Sequence, residues 1–292
     1  MALYKRKHGN GVVMSPNYGT VPQQSYVTDV RDENKPDRKE HHAIRVDDLR
    51  SARHFDEGAH AYAAAYEERS SAGHSFRVRR SKTHALLGKG PLGDLLDVGG
   101  ASGVYFDVLK AQVSTYHILD VSPLMISQAQ EIKSGDVPLF CHLASAYNLP
   151  FPDEHFDTVL AMGVLEYMDQ PWKALEEMAR VAKPGGVILV SYPNVQSPMR
   201  RMSQMIYRFF RKPSPFAASL LFSVGEVREA AAPLKLREIC VKGYNAQLIP
   251  FPLTWHLRRL SYYLSEVLEP FLGRLGNLWG SSFIVKCEKE ND

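Results

Sequence analysis

From Leu95 onward, short apolar runs alternate with amphipathic stretches, and this alternation constrains the fold more than any other feature of the chain. The apolar runs are Leu95–Val98, His117–Val121, Leu139–Leu143, Thr158–Met162 and Val187–Tyr192. Helices are expected between them, near 103–111, 123–133 and 171–182. Strand–helix alternation at this spacing predicts an α/β fold, a mostly parallel sheet with helices on both faces. Upstream, Phe55, Ala59, Tyr62, Tyr66 and Arg69 recur at helical spacing, so residues 51–87 read as helical. Gly73 is expected to break that pattern, with a basic helix following from Phe76 to Leu87.

Residues 1–45 differ from the rest: polar, with Pro16, Pro22 and Pro36 and the charged run Arg31–Glu40. They read as a flexible extension. The adjacent His41 and His42 lie within it and read as solvated, so no metal site is expected.

Composition narrows the function. Of 292 residues, 35 are Lys or Arg and 32 are Asp or Glu, a net charge of only +3, which gives no general reason to expect a nucleic-acid binder. The charge is unevenly placed: Arg200, Arg201, Arg208, Arg211 and Lys212 give residues 193–222 a charge of +5 with no acid, leaving −2 elsewhere. Cys141, Cys240 and Cys287 are odd in number and widely spaced, which suits a reducing cytosol better than a disulfide framework. Lys5, Arg6 and Lys7 are followed by no apolar segment, so no secretory leader is expected. No apolar run approaches the roughly 20 residues of a membrane span.

Three local patterns carry chemistry. The first strand runs into Asp97-Val98-Gly99-Gly100-Ala101-Ser102-Gly103, where small residues allow a sharp turn and close approach to a ligand. No G-x-G-x-x-G register fits residues 99–106, which argues against a nicotinamide enzyme. The second strand ends at Asp120, followed by Ser122-Pro123, a helix N-cap and first-turn proline. A carboxylate at that strand end either accepts both hydroxyls of a ribose or merely assists the cap; the Gly-rich turn upstream favours the ribose. The third pattern spans Asn148–Val159 and Gly163-Val164-Leu165-Glu166-Tyr167, and closes with Lys183-Pro184-Gly185-Gly186 before a strand.

In this order and spacing the pieces resemble class I S-adenosylmethionine-dependent methyltransferases, most nearly the branch of quinone and natural-product enzymes. The resemblance covers residues 55–192 and continues weakly to Ser282–Cys287, which looks like the family's last, antiparallel strand. It implies a Rossmann-like, seven-stranded, mostly parallel sheet with helical lid insertions, and S-adenosylmethionine as cofactor, released as S-adenosylhomocysteine. Position by position, it implies that Asp97, Gly99, Gly100, Ala101 and Gly103 pass the methionine part, that Asp120 holds the ribose and Val121 flanks the adenine. Ser145 and Ala146 fall at the adenine end. Met162 and Gly163 fall near the sulfonium, and Tyr62 and Tyr66 fold over the cofactor. Three positions depart from the family pattern. Ala101 replaces a glycine, which suits a negative φ. Ser145 replaces a common Asp. Tyr167 replaces a common His, so the usual candidate base is absent.

The domain plan that follows is a flexible extension at 1–45, N-terminal helices over the site at 46–90 and a cofactor-binding core at 91–192. A basic and apolar helical lid follows at 193–231, then a C-terminal part of the core at 232–292 with a helical insertion at 250–279. Proton removal from an oxygen nucleophile would fall to Glu166, Tyr167, Tyr192, His74 or Tyr66. Met199, Met202, Ile206, Phe209 and Phe210 recur beside the lid arginines, which suits an apolar small-molecule acceptor and peripheral membrane contact through 199–212. Leu253, Leu257, Leu260, Leu264 and Leu268 form a second stripe, expected to pack against the first insertion or the core. Two rival readings are an assembly factor or scaffold on the same fold and, third, an RNA methyltransferase.

Overall fold

The computed structural model describes residues 46–211, 220–245, 249, 257–269 and 279–291. The extension at 1–45 with its histidine pair, Lys212, and the parts of the second insertion at 250–256 and 270–278 lie outside the described residues.

The chain opens with α1 (Val46–Glu67) and α2 (Ser71–Leu87), and then alternates: β1 (Gly93–Val98), α3 (Phe106–Leu109), β2 (Val113–Asp120), α4 (Pro123–Gln130), β3 (Leu139–Leu143), β4 (Phe156–Ala161), α5 (Pro171–Val181) and β5 (Ala182–Pro193). It continues through α6 (Pro198–Phe209), α7 (Val224–Ala231), β6 (Leu236–Tyr244), α8 (Arg258–Leu268) and β7 (Ser282–Lys289). The seven strands lie in the order β3-β2-β1-β4-β5-β7-β6. β1 to β5 pair in parallel, and β7 runs antiparallel to both β5 and β6. The expected fold class is therefore the observed one.

The central strands are apolar on both faces because both faces are covered. Leu96, Val98, Val159 and Ile188 pack with Leu175 and Met178 of α5 and Val227 of α7. The alternate residues Leu95, Leu160 and Leu189 join Phe106 and Leu109 of α3 and Ile126 and Ala129 of α4. Burying each such side chain contributes roughly 1.5–3 kcal/mol before chain entropy is counted. Order 3-2-1-4-5 reverses between β1 and β4, and α/β folds bind ligands in the crevice outside the carboxyl ends at that switch.

Two local expectations change. The break in the N-terminal helices comes at Glu68–Ser70, not at Gly73. The Ser70 hydroxyl accepts the backbone N–H of Gly73 at 3.1 Å and caps α2, so Gly73 sits in the first turn. A side chain there would meet the Glu68 carbonyl. The Pro184-Gly185-Gly186 turn lies within the span of β5: Phe156 pairs with Ala182 but Thr158 with Val187, so the intervening residues loop out of register.

Candidate functional site

A cleft opens at the switch point of the sheet, where α/β folds bind their ligands. Gly99 and Ala101 form its wall after β1, and Leu119, Asp120 and Val121 the wall at the end of β2. Met125 of α4 and Ala146 after β3 close one side. Gly163, Val164, Tyr167 and Met168, after β4, form the other, and Phe55 and Tyr62 of α1 lie across it.

The loop after β1 is pinned to β2. The N–H groups of Gly99 and Gly100 both donate to the Leu119 carbonyl, at 2.7 and 3.2 Å. Gly99 has φ 64°, and a Cβ there would stand 2.4 Å from the Val164 side chain, so only glycine lets β1 and β4 approach this closely. Ala101, expected at negative φ, has φ 49°. Its N–H donates to Asp120 Oδ2 at 3.0 Å, a bond that helps to offset the cost of the left-handed conformation.

Asp120 is buried, and its other oxygen accepts the Ser122 N–H at 2.9 Å. Burial pushes its carboxyl up to about 6, against backbone hydrogen bonds that lower it. A carboxylate can accept about four hydrogen bonds, so capacity is left for a ligand's hydroxyls. Both sequence readings of Asp120 thus have a basis: it holds the Ser122 N–H beside the cap and also lines the cleft. Asp97 does not line it. It is buried within β1, accepts the Tyr116 hydroxyl at 2.8 Å, and is pushed up to about 7 by burial.

The other expected residues divide. Tyr62, Gly99, Ala101, Asp120, Val121, Ala146 and Gly163 line the cleft; Tyr66, Asp97, Gly100, Gly103, Ser145 and Met162 do not. Ser145 turns its hydroxyl to the Tyr147 N–H at 3.1 Å. Met162 is buried, its sulfur accepting from Thr83 at 3.2 Å. Tyr66 is fully buried, stacked on Phe76 with centroids 5.0 Å apart.

Of the candidate bases, only Tyr167 lines the cleft. It packs edge-on against Phe55 at 5.2 Å, and burial with the nearby Glu166 pushes its hydroxyl up to about 12. Glu166 lies just behind, buried, with its carboxyl raised by burial despite Arg79 and Arg200 nearby. Tyr192 is instead packed among Phe222, Phe283 and Trp172, because it alternates into the face that α5 and α7 cover. His74 lies 3.2 Å from Glu266 of α8, away from the cleft, on the face of α2 that packs against that helix.

Two polar residues escaped the sequence reading. Arg79 is buried, and its guanidinium donates to the Tyr66 hydroxyl at 3.0 Å. A Cβ on Gly163 would stand 2.0 Å from Arg79 Nη1, so this cation presses directly against the cleft wall. Its Nε has no hydrogen-bond partner, and no carboxylate among the described residues lies within ion-pair distance of it. The readable signal was a charge on an apolar stripe: Phe76, Arg79, Thr83 and Leu87 share one face of α2. Asp56 accepts a short hydrogen bond from the Ser122 hydroxyl and ties α1 to the start of α4.

Among the described residues no group of three or more His, Cys, Asp or Glu is arranged for a metal ion, and no helix is long and apolar enough to cross a membrane.

Comparison with known proteins agrees with this fold. Residues 96–190 match the family model described as a methyltransferase domain. An uncharacterized methyltransferase of Mycobacterium tuberculosis is 32% identical over 136 residues, 44% of this chain and 53% of that protein. The chain therefore matches about half the length of that relative. Among solved structures, magnesium protoporphyrin IX methyltransferase from Synechocystis, determined with bound S-adenosylhomocysteine, is 12% identical over 84% of this chain and all 100% of its own, with a TM-score of 0.58. The cyclase SpnF is 14% identical over 84% of this chain and 97% of its own, with a TM-score of 0.56. At these identities the structural likeness concerns the fold.

Proposed function

We propose that the chain, whose residues 96–190 match a methyltransferase domain, is a class I S-adenosylmethionine-dependent methyltransferase that transfers a methyl group to an apolar small-molecule acceptor of the lipid, polyketide, quinone or glycolipid kind. The observation that carries this reading is Asp120: a buried carboxylate with spare acceptor capacity, beside a glycine-lined turn, at the switch point of the sheet. When bound, the cofactor supplies a methyl group already activated on a sulfonium.

The protein's share of the work is then alignment and exclusion of water. In this proposal Asp120 holds the ribose hydroxyls. Val121 and Ala146 flank the adenine, with Ser145 holding their turn. Gly99, Gly100, Ala101 and Gly103 pass the methionine part, with Asp97 supporting the loop. Arg79 holds the amino-acid carboxylate, for which a buried cation against Gly163 is suited. Met162 and Gly163 lie toward the reacting end, and Tyr62, backed by Tyr66, covers the site. Tyr167, raised to about 12, stays protonated at neutral pH and serves as a hydrogen-bond donor to the acceptor, not as its base. Glu166, whose affinity for protons burial has raised, is the better candidate to take one. The apolar lining from Phe55, Val164 and Met168 supports an apolar acceptor. Peripheral membrane contact through 199–212 belongs to the same proposal, as does a cytosolic setting, with Cys141, Cys240 and Cys287 all free.

Calorimetry with S-adenosylhomocysteine tests the first step. Binding by the wild type, lost in Asp120→Ala, is expected; absence of binding by the wild type would refute the proposal. Biological activity that survives Asp120→Ala would favour an assembly factor on this fold.

A further inference from the structure

Helices α6 and α8 are turned the unusual way round. In α6 the only fully buried residue is Ser203, with Ile206 and Tyr207 half-buried on the same side. Met202, Met205 and Phe209 follow i, i+3, i+7 spacing on the outer side and are 38%, 71% and 82% exposed. In α8 the small Ser261 and Ser265 are buried while Leu260, Tyr263 and Val267, again at i, i+3, i+7, are 49%, 63% and 59% exposed. The expectation that the leucine stripe packs inward is thereby corrected for Leu257 and Leu260, both of which are exposed. The reason is the contact with α2: Glu266 of α8 pairs with Arg77 at 2.9 Å, and small serines allow the two helices to meet.

Single exposed apolar residues are ordinary; two helices with ordered outward stripes are not. Charge and position say what the stripes meet. Arg201 and Arg208, seven residues apart, flank the α6 stripe, and Arg211 follows; all three are exposed. From Met178 to Gly225 the chain has no acidic residue. α6 leaves the carboxyl end of β5, and α8 lies between the end of β6 and the start of β7, where Tyr244 and Pro193 both pair with Ser282. Both helices thus rise from the sheet edge that carries the cleft.

We infer that the outer faces of α6 and α8 dock on an anionic lipid bilayer, so that an apolar acceptor reaches the cleft from the leaflet. Aliphatic and aromatic side chains enter the acyl boundary while Arg201, Arg208 and Arg211 meet lipid phosphates. The inference rests on the methyltransferase reading only for what the surface delivers, not for whether it binds.

Co-sedimentation with vesicles of phosphatidylcholine containing about one third phosphatidylglycerol tests it, with pure phosphatidylcholine as the comparison. The full-length protein is expected to partition to the anionic vesicles. Arg201→Glu/Arg208→Glu, and separately Met205→Ser/Phe209→Ser, are each expected to weaken partitioning by about tenfold or more. Far-ultraviolet dichroism and S-adenosylhomocysteine calorimetry on the same variants should match the wild type. Failure to sediment with anionic vesicles overturns the inference. So does a dimer in analytical ultracentrifugation that Met205→Ser/Phe209→Ser dissolves while vesicle binding is absent, because a second copy would then be the occupant. Vesicle binding without cofactor binding would leave the surface standing and remove the methyltransferase reading; the converse would do the opposite.

Discussion

The carboxylate of Asp120 accepts the backbone N–H of Ala101 at 3.0 Å, so the end of β2 and the turn after β1 are fastened to each other at the cleft wall. Ala101 occupies the left-handed region at φ 49°, which costs an L-residue roughly 1–2 kcal/mol. A charge-assisted hydrogen bond, worth about 1.5–3 kcal/mol, offsets it. The same oxygen pair that orders the loop is the pair offered to a ribose.

Removing that carboxylate should therefore act on binding as well as on the loop that it fastens. Asp120→Ala is expected to weaken S-adenosylhomocysteine binding by about a hundredfold, the equivalent of losing two hydrogen bonds to a charged acceptor. Calorimetry checks this; an unchanged affinity would mean that Asp120 serves the helix cap alone.

Cofactor affinity should also depend on pH. Only the ionised Asp120 accepts two hydroxyls, and its carboxyl is raised to about 6. Affinity is expected to be constant above about pH 7 and to fall by about tenfold per unit well below 6. A profile that stays flat down to pH 5 would contradict the role.

Asp97 affects stability in a window of its own. Its carboxyl rises from 3.8 to about 7 on folding, so between those values the native state binds more protons than the unfolded chain. Its contribution to stability is thus greatest at low pH and is lost as pH climbs through about 7. Asp97→Asn keeps an acceptor for the Tyr116 hydroxyl and removes the buried charge. It is expected to raise Tm at pH 8 by about 2–4 °C and to flatten the dependence of Tm on pH. A Tm that falls at pH 8 would count against this reading.

Gly163 and Gly185 separate strain from collision. Both have positive φ, 82° and 73°. A Cβ at Gly185 finds nothing nearer than 3.7 Å, whereas at Gly163 it meets Arg79 at 2.0 Å. Gly185→Ala is expected to cost about 1 kcal/mol and leave cofactor binding unchanged. Gly163→Ala is expected to cost about 2–3 kcal/mol and to weaken binding by displacing the guanidinium. Urea denaturation with calorimetry decides; equal effects at the two sites would remove Arg79 from the site.

The Asp56 contact to Ser122 should govern how firmly α1 closes over the cleft. Asp56→Ala is expected to speed S-adenosylhomocysteine release severalfold, seen by stopped-flow fluorescence, with little change in Tm. An unchanged release rate would make the contact purely structural.

Strand–helix alternation, a glycine-rich turn and an acid at the next strand end were enough to predict the sheet and half the cleft, since each is a local pattern whose period or backbone freedom admits few alternatives. What they could not show was which way a side chain turns once helices pack. Asp97 and Asp120 are alike as letters, yet one lines the cleft and the other lies beneath it. Tyr62 and Tyr66, one helical turn apart, divide likewise between the cleft and the core. Arg79 looked like one more charge on a basic helix until α2 was laid against the sheet and buried it beside Gly163. Leu260 of α8 looked like core until Ser261 and Ser265 took the inner face. Periodicity says that a helix has two sides; only long-range packing, by burying one of them, decides which side does the work.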